Sequence, residues 1–123
     1  MLIFVGKNKK SYICRKIREM NRNKIISRIG NILREVAPDA RSILYGSQAR
    51  GDARPDSDFD VLVVLPDKGP KSFAQRKIEI FDQLYDIELE TGVTISPLIV
   101  LRSFWERMRT PFTVNIANEG IEL

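Results

Sequence analysis

The chain has no histidine and a single cysteine, Cys14. Without histidine, Ser-His-Asp and Cys-His catalysis, imidazole metal sites and the usual general base near neutral pH are excluded. One cysteine rules out an internal disulfide framework and a multi-cysteine zinc site; at helical spacing from its apolar neighbours, Cys14 reads as a small apolar side chain. Long apolar runs are missing too, with nothing approaching the roughly 20 residues that cross a bilayer. The opening segment 1–5 is too short for a signal peptide's apolar core, and basic residues follow it rather than precede it, so the protein is expected to be cytoplasmic and away from membranes. Its chemistry must use carboxylates, hydroxyls, lysine, arginine, backbone amides or a bound ion.

What remains is ordinary in bulk and uneven in distribution. With 123 residues, 43% apolar and 29% charged, the composition is that of one globular domain, able to bury roughly two thirds of its unfolded surface. The net charge of +4 divides sharply: residues 1–35 carry ten basic and two acidic side chains, a balance of +8, and residues 36–123 carry −4. We therefore expect a basic N-terminal extension over 1–19, helical or foreign to the domain, ahead of a domain spanning 20–123. Such an arm could touch nucleic acid or an acidic protein, or be a solvated helix face. Tyr12 among lysines and arginines has the look of an RNA contact, but no RNA-binding motif accompanies it, and nucleic acid is not expected as a partner.

Periodicity gives the elements. Ile25, Ile29, Leu33 and Val36 recur at helical spacing, and Asn21 to Asn23 offer a cap, predicting a helix over about 24–36 that Pro38 ends. Residues 42–45 read as a short strand closed by Gly46. Residues 58–65, rich in valine and leucine, form the clearest strand. A helix is predicted over 72–90, with Phe73, Ile78, Phe81, Leu84, Tyr85, Ile87 and Leu89 turned inward and Gly92 as its stop. Residues 93–101 are a third strand, which Pro97 assigns to an edge or a bulge. Ser103 and Glu106 match a capping box for a short helix that Pro111 should end, with Phe104 and Trp105 as core or interface anchors. One more helical turn and an extended tail follow. The order α-β-β-α-β-α predicts an α+β fold, a small mixed sheet flanked by helices.

The informative stretch lies between residues 45 and 65. Gly46 and Ser47 close a strand where the chain turns into a helix: free amides gather there, the glycine admits a phosphate close to the backbone, and the serine adds a hydroxyl. Asp58 and Asp60 stand two apart at the start of the next strand, so both carboxylates project from one face. Two adjacent anions favour a cation between them, and an oxygen-only set suits Mg²⁺ or Mn²⁺, which complete their shells with substrate phosphates. A phosphate cradle facing such a pair is the minimum equipment for phosphoryl or nucleotidyl transfer. Arg50 and Arg54 lie between the two.

Gly46-Ser47, ten residues, then Asp58-Phe59-Asp60 resembles the Gly-Ser-x10-Asp-x-Asp signature of minimal nucleotidyltransferases in the DNA polymerase β superfamily, with Gly46-Ser-Gln-Ala-Arg-Gly51 strengthening the match. The resemblance implies a polymerase β-like mixed sheet, an NTP donor (ATP in the first instance) and two divalent ions. Gly46 and Ser47 would hold the β- and γ-phosphates, Asp58 and Asp60 the metals, and Arg50 a phosphate. Active members carry a third acid on the following strand. Here residues 93–100 contain none, and Ser96 falls where that acid is expected; Glu88 and Glu90 are either substitutes or surface charges. The resemblance also implies an acceptor hydroxyl brought by a partner or an oligomer interface, because the chain is too short for a substrate-recognition domain of its own. Minimal members pair with helical HEPN-domain toxins and modify a tyrosine on them. Three readings stay open at this point: an NMP transferase, a nucleotide-binding regulator that neutralises its partner by contact, and a basic-armed nucleic-acid binder.

Overall fold

The computed structural model describes residues 7–54 and 56–123, with side chains described from Arg22 onward. The side chains of the expected basic extension, Tyr12 and Cys14 included, lie outside the described residues. Helix α1 (Lys7–Val36) runs straight through Asn21 to Asn23, where a cap was expected. Asparagine in a helix costs only about 0.7 kcal/mol relative to alanine, too little to end a helix that is anchored farther on. Its anchors are Ile25, Ile29 and Leu33, all buried at successive turns. The helix ends as expected, with the Ala37 amide donating to the Leu33 carbonyl at 2.9 Å just before Pro38.

Strand β1 (Arg41–Tyr45) leads through a one-turn helix α2 (Ser47–Arg50) and a loop to β2 (Phe59–Leu65). Helix α3 (Phe73–Thr91) crosses over to β3 (Ile95–Leu101), after which come α4 (Arg102–Arg107), α5 (Pro111–Glu119) and a two-residue strand β4 (Ile121–Glu122). The sheet order is β3-β2-β1-β4. β1 pairs antiparallel with β2 and β4, while β2 pairs parallel with β3 through the α3 crossover. This is the α+β mixed sheet that the element order implied. β3 lies at an edge, where Pro97 forfeits no ladder bond.

β2 reads as an unbroken apolar run because both its faces are covered. Phe59, Val61, Val63 and Leu65 face α1 and α3, against Ile29, Leu33, Ile80, Leu84 and Ile87. Leu62 and Val64 face the other way, against Ile43, Val100 and Ile116, with Tyr45, Leu98 and Trp105 packed at the margin. Trp105 is thus a core-margin anchor as expected, whereas Phe104 is exposed. Among the described residues no helix is long and apolar enough to cross a membrane.

Two local expectations change. On α3 the inward stripe is Ile80, Leu84 and Ile87, with Phe73 packed at its end. Ile78, Phe81, Tyr85 and Leu89, expected inside, face solvent. At about 100° per residue, α3 carries two apolar stripes side by side, and spacing alone does not say which one meets the sheet. At the C-terminal end, α4 begins at Arg102 with no side-chain cap from Leu101 before it, and the Ser103 amide donates to Asp67 Oδ1 at 3.1 Å. The capping box belongs to Thr110 and Thr113, with Pro111 inside the first turn of α5. Proline lacks an amide that this position would leave unbonded anyway, so Pro111 begins a helix rather than ending one.

The loop after α1 is tied to α3 by a two-pronged ion pair, Arg76 Nη1 donating to Asp39 Oδ2 at 2.8 Å and Nη2 to Oδ1. The hydrogen bonds from Arg76 hold the Asp39 carboxyl below the usual carboxylate range. A lowered folded value means that the pair's contribution is complete above the unfolded value of about 3.9 and fades as pH falls through the folded one. Asp39→Asn should therefore cost about 0.5–1 kcal/mol in urea unfolding at pH 6 and nothing measurable near pH 2, the size expected of a partly exposed pair. An equal cost at both pH values would contradict this.

Candidate active site

The turn from β1 into α2 hinges on Gly46, whose φ of 74° and ψ of −157° lie in a region open almost only to glycine. The Ala49 and Arg50 amides donate to the Gly46 carbonyl. The amides of Ser47 and Gln48, in the first turn of α2, find no acceptor among the described residues, so they remain available to an anion. Asp60 stands opposite Tyr45 in the β1–β2 register and opposite Ser96 in the β2–β3 register. Strand alternation puts its carboxylate on the same sheet face as Tyr45 and Ser96. A Cβ built on Gly46 would lie 2.6 Å from Asp60 Oδ2. The glycine backbone and the carboxylate therefore meet, and only a residue without a side chain fits between them.

Asp58, exposed just before β2, completes the group: Ser96 Oγ donates to Asp58 Oδ2 at 3.3 Å. The half-buried Asp60 carboxyl is raised above the usual range, first by burial and then by the charge of Asp58, with Arg50 partly opposing. Burial and the same Asp60 charge also push the Tyr45 phenol up, and the Tyr45 ring packs edge-on against Phe112 at 5.7 Å. A carboxylate pair that resists full ionisation is relieved by a hard cation, and two carboxylates beside a hydroxyl are an all-oxygen donor set. The residues fit one Mg²⁺ or Mn²⁺. No cluster of three acidic, histidine or cysteine side chains exists among the described residues.

The alternatives for a third acid are accounted for. Glu88 Oε1 accepts the Ile95 amide at 2.7 Å and so caps the start of β3. Glu90 is paired with Arg28 of α1, which lowers its carboxyl. Arg50, expected to reach a phosphate, is exposed and shared between Glu119 at 3.3 Å and Asp52 at 3.4 Å. Arg54 is exposed, its amide bonded to Ser57 Oγ at 2.8 Å. A wider cleft of about 810 Å³ lies by Val64, Trp105 and α5, at the other end of β2, and includes none of these residues.

Sequence reasoning missed what holds the two halves at a fixed spacing. Gln48, buried in α2, accepts from Arg22 Nε at 2.9 Å through its side chain and again from Arg22 through its own carbonyl. Its Nε2 donates to the Ser57 carbonyl at 3.2 Å, one residue before Asp58. A glutamine inside a Gly-Ser-Gln-Ala-Arg-Gly run was the visible signal, since a buried polar side chain must find partners.

Comparisons with known proteins show the family. The sequence profile of the nucleotidyltransferase domain matches residues 26–122, and the chain belongs to that family. A Methanocaldococcus jannaschii protein named as a protein adenylyltransferase is 32% identical over 83 residues, 68% of this chain and 77% of its own length. In fold the chain is similar to a toxin–antitoxin solved with AMP-PNP (TM-score 0.52, 18% identity, 83% of this chain and 71% of that one). It is similar as well to a mutant of the toxin–antitoxin MntA–HpeT (TM-score 0.50, 16% identity, 83% and 70%).

The close approach at Gly46 yields a direct test. Gly51 also has positive φ, at 83°, but a Cβ there meets nothing within 4 Å. Gly51→Ala should cost about 1 kcal/mol for the left-handed backbone alone. Gly46→Ala should cost about 1–3 kcal/mol more, because backbone strain is joined by the Asp60 contact. Urea midpoints of the two variants decide it, and equal losses would place Asp60 away from the turn.

Proposed function

We propose that the chain transfers an NMP, AMP from ATP, to a hydroxyl on a partner protein, with a tyrosine of a helical HEPN-type toxin as the acceptor. The observation that carries the reading is the convergence of the Gly46 backbone with the Asp60 carboxylate, which sets the free amides of the turn beside the Asp58–Asp60 pair. Family membership supports nucleotidyl transfer. The name of the Methanocaldococcus relative supports adenylyl as the group and protein as the acceptor. The fold neighbours, a toxin–antitoxin solved with AMP-PNP and a toxin–antitoxin mutant, motivate ATP and a toxin partner. We assign the working domain to residues 20–123, with 1–19 as a basic extension.

In this reading the Gly46–Ser47 turn holds the β- and γ-phosphates through backbone amides. Asp58 and Asp60 would hold Mg²⁺ or Mn²⁺, which when bound neutralises triphosphate charge. Ser96 steadies Asp58 through its hydroxyl. Arg50 exchanges Glu119 for a phosphate oxygen, its guanidinium remaining charged throughout. The acceptor oxygen attacks the α-phosphorus, the bond to the pyrophosphate oxygen breaks in line, and the acceptor's proton leaves to water.

A second reading has a specific observation behind it. Ser96 stands where a third carboxylate is expected, and a serine is a weak ligand and a poor proton acceptor. The chain would then be a nucleotide-binding regulator that neutralises its partner by contact.

Incubation with α-labelled ATP, Mg²⁺ and the candidate partner separates the two readings. Transfer is expected, and Asp58→Asn with Asp60→Asn should lower it by about a hundredfold or more, the scale seen when a transition-state charge partner is removed. Transfer that survives the double substitution would end the site assignment. ATP and partner binding without any transfer would favour the regulator. Ser96→Asp should raise the rate if this position is the vacant third ligand, and a rate that is unchanged or lower would refute that.

A further inference from the structure

The second apolar stripe of α3 has no covering partner within the chain. Ile78, Phe81, Tyr85 and Leu89 follow one another at helical intervals and are 61, 43, 56 and 66% exposed. On the adjacent stripe of the same helix Ile80, Leu84 and Ile87 are fully or almost fully buried. A helix that is apolar on two sides is ordinarily covered on both, and a contiguous exposed apolar stripe marks a contact surface. Beside it a groove of about 360 Å³ runs between Phe81, Asp82 and Tyr85 of α3 and Ile95 and Pro97 of edge strand β3. Ile95 and Pro97 lie on the face of β3 that α3 covers, so the groove and the candidate active site, where Ser96 bonds Asp58, occupy opposite faces of this edge strand.

Charge narrows the occupant. The acids that border the stripe, Asp82 and Asp86, have no ion-pair partner among the described residues, whereas Glu79 is bound by Lys71 and Glu90 by Arg28. Two copies of this chain joined antiparallel through α3 would set the Asp82–Asp86 flank of one against the same flank of the other, which repels. An apolar helix face bordered by lysine or arginine meets apolar contact and opposite charge together.

From these observations we infer that the α3–β3 face docks a basic amphipathic helix of a partner protein. The stripe and groove take its apolar side chains, and Asp82 and Asp86 take its cations. The docking face stands on its own geometry, independent of the function proposed above.

Three fluorescein-labelled 18-residue peptides test it by anisotropy against the full chain: a Leu/Lys/Ala helix with leucines at i, i+3, i+4 and i+7, the same composition scrambled, and the first with every lysine replaced by glutamate. The amphipathic basic peptide should bind at least tenfold more tightly than either of the others. Phe81→Ser with Tyr85→Ser, whose side chains are exposed, should weaken it at least tenfold, with circular dichroism and ATP-analogue binding unchanged. Asp82→Lys with Asp86→Lys should switch the preference to the glutamate peptide. Equal binding of the scrambled peptide, or affinity indifferent to these substitutions, would overturn the inference. A dimer in sedimentation that Phe81→Ser dissociates would overturn it as well, because the occupant would be a second copy. Label transfer that persists while peptide docking fails removes the surface and leaves the nucleotidyl reading standing; docking that holds while transfer fails does the reverse.

Discussion

The register between β1 and β2 is the constraint on which the candidate site depends. Pairing Tyr45 with Asp60 puts the end of one strand against the start of the next, so the chain leaving β1 must turn immediately above a carboxylate. Only a glycine with positive φ can make that turn, because a Cβ there would lie 2.6 Å from the carboxylate oxygen. A slip of one residue would send Asp60 into the face packed by α1 and α3, where an unpaired carboxylate would cost several kcal/mol. That cost opposes the slip, since the apolar run of β2 would suit either face. The core that stabilises the sheet therefore also aims the site.

Around that register the polar contacts form a frame. Arg22 of α1 grips Gln48, and Gln48 reaches the Ser57 carbonyl, so the turn, the loop and Asp58 are fixed to the longest helix. Arg50 bridges α2 to the end of α5 through Glu119. The exposed pairs add little stability singly; their effect is on position. The buried amide of Gln48 matters more, because leaving it unbonded would cost about 1–3 kcal/mol. The Asp60 carboxyl is raised by half-burial and by the charge of Asp58, a repulsion that a bound cation would relieve.

Much of this was legible in the residues. The valine-rich β2, the glycine after Tyr45 and the Asp-x-Asp spacing each have one plausible geometry, and the structure has it. Pro97 announced an edge strand because a central one would lose a ladder bond. Other features had two solutions of equal local merit. Asn21 to Asn23 could cap a helix or sit inside one, and the anchoring of Ile25, Ile29 and Leu33 decided the matter from outside the segment. Ser103 and Glu106 have the spacing of a capping box that α4 does not use, and Pro111, expected to stop a helix, is the first residue of α5. On α3 periodicity found apolar residues on two stripes and merged them; which stripe met β2 was a tertiary choice. That unresolved surplus is what exposes Phe81 and Tyr85 as a docking face. The partners of Gln48 lie 26 residues back and 9 ahead, beyond any local pattern.

A crystal grown with Mn²⁺ and a non-hydrolysable ATP analogue tests the central claim most directly. The account requires a manganese anomalous peak within coordination distance of both Asp58 and Asp60 carboxylates, with the β- or γ-phosphate accepting from the Ser47 amide. Manganese bound elsewhere, or an analogue lodged in the cleft beside Trp105 with the Gly46 turn empty, would contradict it.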